Sequence, residues 1–75
     1  MTREQQILTF IVSYMAENTW APTVREIGAG VGLASPATVT RYLHRLDRKG
    51  LIVMLPMSPR ALRLTDKGKR VIACD

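Results

Sequence analysis

Apolar residues recur along this chain with two different periods, and the change of period marks its elements. Ile7, Leu8, Ile11, Val12, Tyr14 and Met15 give the first stretch the broad apolar face of a helix packed against two others. Thr2, followed three residues later by Gln5, has the spacing of a capping box, so this helix is expected over 3–18. Asn18-Thr19-Trp20-Ala21-Pro22 stops it, because proline disfavours helical backbone in the residue before it. Trp20 is expected to plug the core edge with its indole N–H near solvent; stacking on a nucleobase is the sharper alternative.

Thr23 and Glu26 repeat the capping-box spacing ahead of a second helix over 24–31, in which Val24, Ile27 and Val31 fall on one narrow stripe. Gly32 breaks it, and Gly28, Ala29 and Gly30 are small enough to let a neighbouring helix cross closely. A third helix is expected over 36–49. Ser35 caps its free N–H groups, Pro36 occupies the first helical position where no hydrogen bond is lost, and Gly50 closes it in the left-handed conformation. At about 100° per residue, Val39, Tyr42, Leu43 and Leu46 share one side of this helix. Ala37, Arg41, His44, Arg45 and Arg48 share the other.

After Gly50 the period shortens. Leu51-Ile52-Val53-Met54-Leu55 and the alternating Ala61-Leu62-Arg63-Leu64 predict a hairpin over 51–64. Its tip, Pro56-Met57-Ser58-Pro59-Arg60, lacks an Asn-Gly or Asp-Gly turn and is expected to be a loose loop. Residues 65–75 are either a short helix capped by Thr65, with Asp66 near its N-terminus and Gly68 weakening it, or a frayed basic tail. The fold class is thus mainly α with a small β-hairpin: one domain over 1–75, a winged helix-turn-helix with a three-helix core and a two-stranded wing.

Charge turns this fold toward a partner. The chain of 75 residues carries a net +5, unevenly spread: residues 1–34 sum to −1 and residues 35–75 to +6. That asymmetry points to a polyanion held by the C-terminal half. The outward face of the third helix is short at its start and cationic toward its end, which suits first turns entering a major groove while later arginines reach phosphates. A merely solvated face is the bland alternative. Arg25 is expected to be exposed and to touch a phosphate, and Arg63 and Arg60 to reach the backbone or the adjacent minor groove unless the tip is simply solvated.

Other chemistry finds little material. A domain this small buries only about 60% of its unfolded surface. The single cysteine, Cys74, excludes an internal disulfide and a multi-cysteine zinc site, and no stretch resembles a signal peptide or a membrane span, so a cytosolic location is expected. His44 is the one histidine, better taken as a phosphate contact or an exposed polar residue than as a catalyst; Ser13, Ser35 and Ser58 fall on surface, cap and loop. Neither a catalytic residue, a metal, a cofactor nor a small-molecule ligand is expected.

The phrases APTVREIGAGVGLASPATVTRYLHRLDRKGLI and PRALRL, within roughly residues 3–64, resemble the N-terminal DNA-binding domain of LexA-type SOS repressors. The resemblance implies a winged helix-turn-helix that binds palindromic operators as a dimer and represses transcription. It also implies base reading by Ser35, Ala37, Thr38, Thr40 and Arg41, with Arg60 matching the family's wing. The reading positions are not a constant set in that family, so the operator is not transferable; Arg41 would favour the O6 and N7 of guanine. Family members continue into a second domain that dimerises and cuts its own chain with a serine and a lysine. Residues 1–75 hold no counterpart of it, and self-cleavage is not expected of them.

Two function classes compete. One is a sequence-specific transcriptional repressor or its DNA-binding part, with Arg25, His44, Arg45, Arg48, Arg60 and Arg63 on the backbone. The other is a winged-helix protein-interaction or accessory module, since the fold hosts both. RNA binding lacks the usual aromatic stacking platform. Met54, Met57 and Ile72 are candidates for a small homodimer contact, or for core and loop.

Overall fold

A computed structural model describes residues 2–55 and 62–73 of the chain. The order is α1 (Arg3–Glu17), α2 (Val24–Val31), α3 (Pro36–Arg48), β1 (Ile52–Met54), β2 (Leu62–Leu64) and α4 (Asp66–Ala73). Each of the first three helices starts where a local cap dictates. In α1 the Thr2 hydroxyl accepts from Gln5 N–H at 3.2 Å while Gln5 Oε1 accepts from Thr2 N–H at 2.9 Å. In α2 the same reciprocal pair joins Thr23 and Glu26 at 3.1 and 2.8 Å. Each box satisfies two N–H groups that have no partner within the helix.

The helix ends fall one residue short of two expected boundaries. Asn18 has extended backbone and caps α1, and Lys49 caps α3. Gly32 and Gly50 take φ of 77° and 76°, a left-handed conformation that a β-carbon would penalise, and so turn the chain out of α2 and α3.

The core sits where α1, α2 and α3 meet the base of the hairpin. Ile7, Leu8 and Ile11 of α1, Ile27 of α2, and Val39, Leu43 and Leu46 of α3 are fully or almost fully buried, with Ile52 of β1 beneath them. A β-carbon on Gly28 would lie 2.8 Å from Leu33 O and 3.4 Å from Val39 Cγ2, so this glycine does allow α2 to approach α3. Gly30 serves a different contact, lying against the Phe10 ring of α1, and Ala29 is exposed.

The wing is antiparallel, with Ile52 opposite Leu64, Val53 opposite Arg63 and Met54 opposite Leu62. The pleat sends Ile52 and Leu62 into the core and leaves Val53 and Arg63 exposed. Met54 packs against the core, whereas Met57 and the side chain of Ile72 lie outside what is described. The loop expected at 56–60 likewise falls outside the described residues.

Of the two expectations for residues 65–75, the helix holds over Asp66–Ala73. Thr65 Oγ1 accepts from Gly68 N–H at 3.0 Å and lies 2.7 Å from Gly50 O and 2.8 Å from Leu51 O, to which its proton is donated. Gly68 is a requirement here: a β-carbon would run into the carbonyl oxygen of Leu51. Lys67 Nζ adds a bond to Lys49 O at 3.0 Å, tying α4 to the end of α3.

Trp20 departs from its expected place. It is 49% exposed, because Ala21 and Pro22 fill the core edge beside it. Its indole N–H donates to Tyr14 Oη at 3.3 Å, and Tyr14 donates in turn to Glu26 Oε2 at 2.8 Å. No helix among the described residues is long and apolar enough to cross a membrane.

Candidate nucleic-acid interface

Helical periodicity gathers one face of α3 as the sequence implies. Ala37, Thr40, Arg41, His44, Arg45 and Arg48 together line a shallow surface depression. Ala37, Arg41, His44, Arg45 and Arg48 are exposed and Thr40 is half-buried, while the opposite side buries Val39, Leu43 and Leu46. The helix is therefore packed from behind, and its polar face points outward.

The first turn carries no acidic residue and the last carries Arg45 and Arg48. The two arginines oppose the partial negative charge of the helix C-terminus, which offsets part of their mutual repulsion. Ser35 is exposed at the N-cap, where its hydroxyl accepts from Thr38 N–H at 3.5 Å, a contact long enough to leave the hydroxyl largely available. Thr38 is half-buried in the same turn. These two stand at the start of the helix, apart from the residues lining the depression.

Arg25 is exposed on α2 and shares a second depression with Leu33, Ala34, Pro36 and Val39, which brings it beside the first turn of α3. Arg63 projects from the exposed face of β2, opposite Val53. Arg60 lies outside the described residues.

Two further contacts border this face. Lys49, at the C-cap, is engaged by Glu4 of α1 at 2.6 Å. Tyr42, on the core side by pattern, is half-buried, and the Arg45 guanidinium carbon lies 5.5 Å from its ring centre. The second was accessible from the i, i+3 spacing of the two residues; the first, spanning 45 positions, was not.

Among the described residues no group of three or more His, Cys, Asp or Glu side chains could hold a metal ion. His44 lies among arginines, with no nucleophile in the lining of its depression other than Thr40. The arrangement offers donors and positive charge to an extended anion.

Residues 1–61 match the family model described as the LexA DNA binding domain. The chain is 48% identical over 62 residues to the LexA repressor of Carboxydothermus hydrogenoformans, covering 83% of this chain and 30% of that protein. It is 44% identical over 71 residues to the LexA repressor of Oenococcus oeni, covering 95% and 34%. The LexA repressor of Brevibacillus brevis is 48% identical over 69 residues, covering 92% and 33%. The chain thus spans about a third of the length of the curated relatives it matches. Among solved structures, a mutant of S. aureus MepR superposes with a TM-score of 0.74 at 22% identity, covering 99% of this chain and 55% of that one. At that identity the likeness concerns the winged-helix fold alone.

Proposed function

Since this chain belongs to the LexA DNA-binding domain family, we propose that it is a sequence-specific, double-stranded-DNA-binding module of a transcriptional repressor. In this reading the first turns of α3 enter the major groove, where Ser35, Ala37, Thr38, Thr40 and Arg41 meet base edges. Arg25, His44, Arg45 and Arg48 hold the flanking backbone, and the wing adds Arg60 and Arg63. The observation that carries the reading is the outward face of α3, small at Ala37 and cationic from Arg41 to Arg48, on a helix whose other face is locked in the core. A palindromic operator bound by two copies accompanies it, because a second half-site raises effective concentration where one half-site alone binds weakly. A cytoplasmic location and no catalytic activity complete the proposal.

The test is selection of bound duplexes from a random DNA pool at about 0.1 M salt, where non-specific attraction is partly screened. Enrichment of a palindrome with fixed half-site spacing is the expected result. A lone enriched half-site would retain the reader and remove the dimer. No enrichment would overturn sequence-specific binding in favour of a protein-docking winged helix. Affinity should also fall with salt along a log–log slope of roughly −4 to −6, as about five to seven phosphates are neutralised.

A further inference from the structure

Arg45 has an aromatic neighbour on its own helix. Its neighbours at i−4, i+3 and i+4 are Arg41, Arg48 and Lys49, all cationic, so one turn in either direction offers no carboxylate to hold it. The neighbour at i−3 is Tyr42, whose ring packs against the core and lies 5.5 Å from the Arg45 guanidinium carbon. This is within the range of a cation–π contact. A ring on one side restrains the guanidinium, and Arg45 stays exposed, so its five N–H donors can still meet an anion. Arg45 also stands on the flank of the outward face, between Arg41 and the half-buried Tyr42, and phosphates rather than base edges border a helix lying in a groove.

Resting on the DNA-binding reading above, we propose that Tyr42 is a positioning residue for the DNA backbone: its ring holds the Arg45 guanidinium where a phosphate oxygen passes the edge of α3. An arginine restrained in the free protein has less rotamer freedom left to lose on binding. Tyr42 contributes to affinity through Arg45 and touches no nucleotide.

A double-mutant cycle tests this, with Tyr42→Leu, Arg45→Ala and the double variant titrated against a mixed-sequence duplex over a salt series, and melting temperatures measured alongside. Tyr42→Leu is expected to weaken binding about two- to fivefold when Arg45 is present and to have no further effect on the Arg45→Ala background. Tyr42→Phe, which keeps the ring, should bind as the parent does, and Arg45→Ala should flatten the salt slope by about 0.9. Tyr42→Met replaces Tyr42→Leu if the latter does not fold. Equal losses on both backgrounds would overturn the proposal by showing that Tyr42 acts through packing or a contact of its own. Tighter binding by Tyr42→Leu would also overturn it, since the ring would then be holding Arg45 away from DNA. A parent that binds no duplex at all would sink the DNA-binding reading itself, an outcome separate from a parent that binds without Tyr42–Arg45 coupling.

Discussion

Lys49 Nζ lies 2.6 Å from Glu4 Oε2, so the end of the third helix is tied to the first turn of the first. Lys49 is more than half exposed and Glu4 much less so, which places the pair at the rim of the core. Its effect on stability is small, because exposed ion pairs contribute at most about 1 kcal/mol. Its effect on charge is larger: one cation next to the basic face is neutralised.

Glu4→Gln releases that cation. Thermal unfolding should shift by no more than the loss of about 1 kcal/mol implies, and the salt slope of DNA binding should steepen by up to about 0.9 if the freed ammonium reaches a phosphate. An unchanged slope would show that Lys49 stands out of reach of the duplex.

Gly68→Ala sets two effects against each other. Alanine improves helix propensity by about 1 kcal/mol, but its β-carbon meets the backbone carbonyl of Leu51, which cannot swing aside as a side chain could. Overpacking of this kind costs about 1–3 kcal/mol, and the expected outcome is a lower melting temperature. A raised one would mean that α4 moves off the hairpin base freely.

Tyr14→Phe removes the oxygen that bridges Trp20 and Glu26. Denaturant titration should record a loss of about 0.5–1.5 kcal/mol, accompanied by a change in the emission of the single tryptophan. Unaltered emission would place Trp20 under the control of other contacts.

Arg41→Ala bears on base reading. Affinity for the selected site should drop by about 1–3 kcal/mol, with preference relaxed at one base pair. Binding to duplexes carrying each of the four bases at every position provides the check, and a uniform loss across all of them would reassign Arg41 to the backbone.

The parts of this fold that were legible in the sequence are those decided within a few residues. Thr2 with Gln5, Thr23 with Glu26, and Ser35 with Pro36 each fixed a helix start, because a cap needs only its own first turn. The α3 face followed from angular spacing, so Arg41, His44, Arg45 and Arg48 came together as expected. Contacts between distant segments were not legible: Phe10 against Gly30, Gly68 against Leu51, Glu4 with Lys49. Trp20 shows the same limit from another side. Its size argued for burial, but Ala21 and Pro22 occupy the space, and nothing local to the tryptophan announces that competition.

Thr65 joins three segments through one hydroxyl, bonding to the carbonyls of Gly50 and Leu51 on one side of the wing and capping α4 on the other. The roots of both strands are therefore clamped together at the core, next to the glycine that ends α3. A change at Thr65 is therefore felt at the end of α3, at the base of the hairpin and at the start of α4 at once.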